Sequence, residues 1–165
     1  MRSHSVRRMG LRDGDGWVRC DCGGHHWGLY GAAGLLLVRR DTPEPHVLLQ
    51  LRAEWTHGGG TWALPGGALD SHEDSIAAAK REAFEEVGIH EHHLTVVHTF
   101  SDDHGPWRYD TVIAHCHGDA NAGIANAESA DLHWVHIDSV HTYELHPGFA
   151  SAWPSLHPLV VASLE

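Results

Sequence analysis

The chain has 165 residues, of which 22 are acidic and 11 are basic, so its net charge is −11 with histidine neutral. This length suits one domain with one hydrophobic core. The charge argues against a protein that grips a nucleic-acid polymer, because such proteins cluster Lys and Arg. A small nucleotide ligand stays possible, since a cation can neutralise phosphates where the protein is acidic.

No apolar run approaches the ~18 residues that cross a bilayer. The run at residues 32–38 is interrupted by Gly34 and ends at Arg39. Residues 1–12 are basic but lack the apolar segment of a secretory signal. We therefore expect a cytoplasmic protein with no membrane partner. The odd number of cysteines argues against a disulfide framework.

The predicted elements begin after a loop-rich extension at residues 1–30, which precedes a domain at residues 31–165. Strands are predicted at residues 35–39 and 46–52, and a short extended segment at 61–64. The loop Pro65-Gly66-Gly67 ends that segment.

The clearest helix signal follows this loop. Asp70 and Ser71 are both candidate N-caps, with Glu73 and Asp74 three residues on from each. Gly88 is placed to end the helix. One side of the helix is predicted to pack on the core through residues at helical spacing: Ile76, Ala79, Lys80, Ala83, Phe84 and Val87.

After the helix, strands are predicted at residues 94–100, 109–117 and 132–137, joined by polar connections at 101–108 and 118–130. A second helix is expected around residues 149–153, limited by Pro147, Pro154 and Pro158. Strands on both sides of an embedded helix predict an α/β fold, with a mixed sheet and helices packed on it.

The helix carries three carboxylates, Glu82, Glu85 and Glu86, on neighbouring positions opposite the apolar side. We expect them to face a cleft or solvent. Like charges at this spacing repel, and Mg²⁺ would turn that repulsion into attraction, because it prefers oxygen ligands. Arg81 can pair with Glu85 or with Glu73. A solvated acidic face is the alternative interpretation of this pattern taken alone.

The surrounding spacing favours the metal site. Residues 67–89 resemble the signature of the Nudix hydrolases, and none of the fixed positions departs from it: Gly67, Glu73, Arg81, Glu82, Ala83, Glu85, Glu86, Gly88 and Ile89. The preceding segment from Trp62 to Gly66 also resembles the usual lead-in of the family.

The resemblance implies a Nudix-type α/β/α sandwich, in which the motif forms a loop–helix–loop. It implies that Glu82, Glu85 and Glu86 bind Mg²⁺ or Mn²⁺, with the Gly66 carbonyl as a further ligand. It also implies that the chain hydrolyses a phosphoanhydride bond in a nucleoside diphosphate-linked substrate. Arg81 is expected to hold the carboxylates in one geometry.

The general base varies in position within the family, so the motif does not name it. Glu82 and Glu128 are the candidates, and an exposed loop carboxylate is the alternative for Glu128. Asp131 and His133 are weaker candidates. Arg52 is the expected phosphate contact, with a plain surface arginine as the alternative. The aromatic residues Trp55, Trp62 and Trp107 are expected to pack rather than bind substrate.

The segment Cys20-Asp21-Cys22-Gly23-Gly24-His25-His26 raises a separate hypothesis. Two thiols and two imidazoles, from Cys20, Cys22, His25 and His26, could hold a structural zinc. The C-x-C spacing is tighter than the usual C-x-x-C and no second pair follows, so a simple loop is the alternative.

For the substrate, the small size favours a MutT-like enzyme that splits a nucleoside triphosphate into the monophosphate and pyrophosphate. Hydrolysis of ADP-ribose or a nucleotide sugar is the alternative, with Pro106 lying 17 residues past Ile89. Tyr109 lies 20 residues past Ile89 and is a poor fit to the tyrosine of diadenosine-polyphosphate hydrolases. A non-catalytic nucleotide sensor is the alternative of another class. A homodimer is possible by analogy with relatives.

Overall fold

The computed structural model describes residues 12–117 and 122–165. The first eleven residues and part of the predicted 118–130 connection therefore lie outside the described residues. The strands are β1 (Trp17–Arg19), β2 (His25–Trp27), β3 (Ala32–Arg39), β4 (His46–Arg52), β5 (Trp62–Ala63), β6 (Gly66–Ala68), β7 (Leu94–Asp103), β8 (Arg108–Cys116) and β9 (Ser129–His136). The helices are α1 (Ser75–Val87) and α2 (Pro147–Ser163).

Within the described residues, a mixed sheet of seven strands has β3 at its centre. Five strands follow the order β5-β4-β3-β8-β7, while β6 also pairs with β3 and β9 also pairs with β4. Strands β3 and β8 run parallel along eight residue pairs, from Ala32↔Tyr109 to Arg39↔Cys116. Strand β4 pairs with β3 only at Val47 and His46, while β6 pairs with the opposite half of β3. Strands β3 and β4 therefore separate toward Gly34 and Arg52, and the loop from β5 to β6 fills the gap.

The two faces of the sheet support two separate cores, because successive side chains of a strand point to opposite faces. Leu35 and Leu37 pack on α1, whereas Leu36 and Val38 pack on α2. Burial on both faces explains why β3 reads as a continuous apolar run. The predicted α/β sandwich is confirmed.

Helix α1 begins four residues later than the sequence pattern predicts. Its N-cap is Asp74, whose side chain accepts a hydrogen bond from the Ala77 N–H at 2.8 Å. Asp70 and Ser71 do not cap it, so that prediction is wrong. The backbone N–H of Asp70 instead donates to Glu73, and Ser71 donates to Asp13. Gly88 ends the helix as predicted, with a left-handed φ of 71°.

The buried side of α1 also differs from the predicted stripe. Ile76 is 37% exposed and Phe84 is 51% exposed. The residues buried on this helix are Ala78, Ala79, Ala83, Glu86 and Val87. The small alanines let the helix approach β3 closely, and this rotation turns Glu86 toward the sheet.

Helix α2 is longer than predicted, because Pro154 and Pro158 do not stop it. Each proline removes one backbone hydrogen bond from a helix interior. The two lie four residues apart on the exposed side, where water can satisfy the freed carbonyls. The opposite side is buried through Phe149, Trp153 and Leu156, and that burial holds the helix on the sheet. Pro147 occupies the first turn, where proline is tolerated.

Part of the predicted loop-rich extension forms a hairpin, in which β1 and β2 pair antiparallel through Trp17↔Trp27 and Arg19↔His25. The division of the chain at residue 30 stays a prediction. Among the described residues, no helix is both long and apolar enough to cross a membrane.

Candidate active site

The site forms where β6 passes the middle of α1. Strand β6 consists of Gly66, Gly67 and Ala68, and it pairs with the first half of β3. A β-carbon on Gly67 would lie 2.6 Å from a carboxylate oxygen of Glu82, and one on Gly66 would lie 2.5 Å from the Ala33 carbonyl. Glycine is therefore needed at position 66, where the neighbour is strand backbone, whereas a side chain at position 67 would displace the end of Glu82.

A forked ion pair connects the loop before α1 to the helix. Arg81 donates through Nε to Oε2 of Glu73 at 2.8 Å and through Nη2 to Oε1 at 2.8 Å. The same Nη2 donates to the Ala68 carbonyl at 3.0 Å. These bonds hold the pKa of Glu73 below its usual value. The pair is largely buried and bidentate, which fixes the angle between the glycine loop and the helix.

Arg81 also holds the first of the three helix carboxylates. Its Nη1 donates to Oε1 of Glu82 at 2.7 Å and lies 3.4 Å from Oε2 of Glu85. Burial raises the pKa of Glu82 above its usual range, although the Arg81 guanidinium opposes the rise. The role expected for Arg81, to position the carboxylates, agrees with these contacts.

Glu86 is buried, with only 1% of the residue exposed. The prediction that all three carboxylates face outward is therefore wrong for Glu86. Its Oε2 accepts a hydrogen bond from the backbone N–H of Gly66 at 3.0 Å. Burial, followed by the charge of Glu82 and the nearby Glu128, raises the pKa of Glu86 to about 9. Burial thus favours the protonated form of this carboxyl group.

Glu85 lies at the rim and turns away from Glu86. Its side chain is 37% exposed and pairs with Arg12, which also contacts Asp70 at 3.1 Å. The oxygens of Glu82, Glu85 and Glu86 are not gathered within 4.8 Å of one another, because Glu85 faces two arginines while Glu86 faces Gly66. The three predicted ligands thus share one surface but are not drawn to one point.

Glu128 reaches the same surface from the loop before β9. Its backbone carbonyl accepts a hydrogen bond from Ala53 at 2.9 Å, which ties that loop to the end of β4. Its carboxylate raises the pKa of both Glu82 and Glu86. The exposed residue therefore presents its charge to the buried pair. Asp131 and His133 contact each other, with the His133 Nε2 atom 3.2 Å from a carboxylate oxygen of Asp131.

Arg52 lies at the end of β4. Its Nε donates to the His57 carbonyl at 2.8 Å. Burial, and then the charge of Glu86, raise the pKa of the Tyr109 phenol, while the charge of Arg52 opposes the rise. Burial lowers the pKa of His146, and Arg52 lowers it further. The guanidinium thus faces the carboxylate side of the molecule.

The donor set suits a hard divalent cation. Glu82, Glu85, Glu86 and the Gly66 carbonyl offer only oxygen, which Mg²⁺ and Mn²⁺ prefer. Two of the carboxyl groups are buried close to each other, and their raised pKa values show the cost of charging them together. A cation among them would remove that cost.

A model of the NUDIX domain matches residues 29–156 of this sequence. The chain belongs to the Nudix family. It is a hydrolase that acts on pyrophosphate bonds. The Nudix helix is α1, and the Nudix loop is the glycine-rich β6 segment before it.

Two relatives show how much of the Nudix sequence is shared. A Mycobacterium tuberculosis protein, named as a candidate 8-oxo-dGTP diphosphatase 3, is 49% identical over 153 residues, or 87% of this chain and 69% of its own length. A Bifidobacterium longum fusion of a nucleoside triphosphate pyrophosphatase with a Nudix hydrolase is 44% identical over 146 residues, or 86% of this chain and 30% of the fusion.

The fold of a solved Nudix structure agrees with that of this chain. The crystal structure of the Nudix hydrolase RenU from M. smegmatis superposes with a TM-score of 0.83 at 45% identity, covering 90% of this chain and 96% of that chain.

Two residues of the Nudix site escape the sequence pattern. Arg12 precedes the family match and reaches Glu85 through the fold alone. Tyr109 fits no expected spacing, yet its hydroxyl would lie 2.1 Å from a β-carbon on Gly34 and 3.1 Å from one on Gly66. The glycines at those two positions are the signal that a bulky group approaches the backbone there. Of the tryptophans, Trp62 packs on His133 and Tyr143 as expected, and Trp107 stacks on His26. Trp55 is 70% exposed, so the packing prediction is wrong for this residue.

Proposed function

We propose that this Nudix hydrolase is a Mg²⁺-dependent nucleoside triphosphate pyrophosphohydrolase. Water attacks phosphorus, the bond between the nucleoside monophosphate and the remaining phosphates breaks, and the products are a nucleoside monophosphate and pyrophosphate. The observation that carries the proposal is the buried Glu86 carboxyl at the Gly66 loop, with Glu82 beside it. Buried carboxyl groups with a strongly shifted pKa cluster at functional sites.

The proposed cation ligands are Glu82, Glu85, Glu86 and the Gly66 carbonyl. When bound, Mg²⁺ supplies positive charge against the oxygens of the reacting phosphates. The chain itself supplies the geometry: the Gly66 N–H orients Glu86, and Arg81 orients Glu82. Glu86 must lose its proton when the cation binds, so binding is expected to strengthen as the pH rises.

Glu128 is the proposed general base, in preference to Glu82. Glu82 is paired with Arg81 at 2.7 Å. Burial raises the pKa of Glu82, but the guanidinium charge lowers it and so makes Glu82 a weaker base. Glu128 is exposed, so water can reach it, and its loop is held against β4 by the Ala53 hydrogen bond. Its charge already faces Glu82 and Glu86, where a nucleophilic water would need to be activated.

Arg52 is the proposed phosphate contact. The Nε atom of Arg52 donates to the His57 carbonyl. Within the described residues the Nη atoms make no hydrogen bond, so they can donate to a phosphate. The transferred and leaving phosphates would then lie between the Arg52 guanidinium and the carboxylates of α1.

The proposed substrate class is purine nucleoside triphosphates, with 8-oxo-dGTP first, because the M. tuberculosis relative carries that name at 49% identity. No contact in the structure favours ADP-ribose or a nucleotide sugar over a triphosphate. The proposal predicts pyrophosphate as a product, which neither of those alternatives yields.

The test is product analysis on a panel of 8-oxo-dGTP, dGTP, the other nucleoside triphosphates, ADP-ribose, nucleotide sugars and dinucleoside polyphosphates, with Mg²⁺ and with EDTA. Equal amounts of monophosphate and pyrophosphate from a triphosphate, lost in EDTA, are expected. Turnover of ADP-ribose alone would overturn the substrate class. Thermal stabilisation by nucleotide without turnover would favour the sensor alternative.

A further inference from the structure

A second cluster of side chains lies outside the Nudix carboxylates. The ligand atoms of Cys20, Cys22, His26 and His104 all lie within 4.8 Å of one another. Three of these residues come from the N-terminal hairpin, and the fourth comes from the connection between β7 and β8. We propose that these four residues form a structural zinc site that joins the hairpin to the sheet.

The hairpin explains which residues converge. Cys20 follows β1 directly, and the turn closes by hydrogen bonds from Cys20 to Gly24 and from Gly23 to the Cys20 carbonyl. Val18 pairs with His26, so alternation along the strands places Cys20 and His26 on the same face. His25 pairs with Arg19 on the other face and is exposed. The sequence hypothesis was therefore wrong about His25, and His104 takes its place.

The distances match a tetrahedral site. Cys22 Sγ lies 3.2 Å from His26 Nε2, and Cys20 Sγ lies 3.7 Å from His104 Nδ1. Zinc bonds of about 2.3 Å to sulfur and about 2.0 Å to nitrogen place neighbouring tetrahedral ligand atoms about 3.3–3.8 Å apart. Two thiols and two imidazoles are the donor set that favours Zn²⁺ over Mg²⁺. With four protein ligands the site is closed, as in structural rather than catalytic zinc centres.

The surrounding groups orient the ligands. The second ring nitrogen of His104, Nε2, lies 3.1 Å from a carboxylate oxygen of Asp102. A carboxylate on the far nitrogen is the usual partner of a metal-bound histidine, because it fixes the ring and strengthens its basicity. The Cys22 N–H donates to Cys20 Sγ at 3.4 Å. Trp107 stacks on the His26 ring at a centroid distance of 4.2 Å and 13° between planes.

A zinc site would stabilise the hairpin in its ordered form. Its two strands have three residues each, and a two-stranded hairpin of that length is marginal in water by itself. Apart from the cluster, its links to the β7–β8 connection include a hydrogen bond from Trp107 to the Trp27 carbonyl at 3.2 Å. A cation shared by His104 and the hairpin would close a long loop of the chain.

Cobalt substitution tests the site with a signal that other histidines cannot give. The full chain is stripped with chelator under reducing conditions and titrated with Co²⁺ in excess Mg²⁺, which keeps the Nudix carboxylates occupied. One equivalent of Co²⁺ is expected to give a thiolate charge-transfer band and the visible bands of a tetrahedral ion, and one equivalent of Zn²⁺ should displace it. The absence of a thiolate band from the wild-type protein would overturn the proposal.

Matched variants assign the ligands. Cys22→Ser and His104→Asn are expected to weaken Co²⁺ binding by more than about 100-fold, and Asp102→Asn by about 10-fold to 100-fold. Cys116→Ser removes a thiol outside the cluster, and His25→Asn removes an imidazole outside it. Both control variants should bind Co²⁺ as the wild type does. Cys22 is exposed, so its variant is expected to fold, which its circular dichroism checks. Wild-type Co²⁺ affinity in Cys22→Ser, or an equal loss of affinity in His25→Asn, would contradict the assignment.

Discussion

At the residue scale, Glu86 carries the most information. It is a carboxyl group with 1% exposure, one backbone hydrogen bond and two acidic neighbours. A buried carboxyl with only this support is costly to ionise. Folding therefore favours its protonated form, whereas cation binding requires the ionised one. The same group links stability, pH and metal affinity.

This linkage predicts how stability depends on pH. The pKa of Glu86 rises from 4.5 to about 9 on folding, so the folded state binds the extra proton between these values. Its contribution to stability is complete below the lower value and is lost as the pH rises through the upper one. Without divalent cations, we expect the stability of the wild type relative to Glu86→Gln to fall from pH 5 to pH 9. Urea unfolding at each pH measures it, and parallel curves for the two proteins would contradict the account.

The Arg81 fork is the other decisive feature at this scale. Arg81→Lys keeps the charge but cannot bond Glu73 through two nitrogens and the Ala68 carbonyl as well. We expect the free energy of unfolding to drop by about 1.5–3 kcal/mol, together with activity, because Glu82 loses its orientation. Arg40→Lys is the control, since Arg40 is exposed and, among the described residues, donates only to the Leu164 carbonyl at 3.3 Å. Equal losses in both variants would contradict a special role for the fork.

Glu128 permits a separation of binding from proton transfer. Glu128→Gln is expected to lower kcat by about 100-fold to 10,000-fold. Mn²⁺ affinity should change far less than kcat, because all the proposed ligands are kept. Turnover kinetics and Mn²⁺ titration measure the two effects. An unchanged kcat would contradict this assignment and favour Glu82 as the general base.

At the element scale, α1 shows what a sequence pattern can and cannot give. Its existence, its end at Gly88 and its motif residues were predictable from local signals. Its start and its buried side were not, because both depend on tertiary contacts. Asp70 is buried beside Arg12, and the helix starts only at Ser75 behind the Asp74 cap. Close packing of Ala78 and Ala83 on β3 turns Phe84 outward.

The cap of α1 gives a prediction about this element. Asp74→Ala removes the acceptor for the Ala77 N–H and is expected to cost about 0.5–2 kcal/mol of stability. Asp74→Asn retains a capping oxygen and should cost much less. Thermal or urea unfolding of the two variants decides it, and a larger loss in Ser71→Ala than in Asp74→Ala would restore the cap that the sequence favoured.

At the scale of the whole molecule, the sandwich was predictable because β3 is apolar on both faces and a helix lies between strands. The long-range contacts were not. Arg12 on Glu85 and His104 beside Cys20 join residues more than 70 positions apart, and no local pattern encodes such pairs. The site therefore divides into motif residues that the sequence predicts and neighbours, such as Tyr109, that only the fold brings in.

The central claim is that the buried carboxyl of Glu86 serves hydrolysis rather than folding. Its most direct test is the rate of pyrophosphate release from 8-oxo-dGTP at saturating Mg²⁺, in the wild type, Glu86→Gln and Glu91→Gln. Glu91 is the matched control, because its side chain is 75% exposed and its one ion pair within residues 12–117 and 122–165 is with Lys80 at 3.8 Å. We expect Glu86→Gln to fold and to lose activity by roughly 100-fold or more, with Glu91→Gln unchanged. A folded Glu86→Gln protein with wild-type turnover would contradict the account.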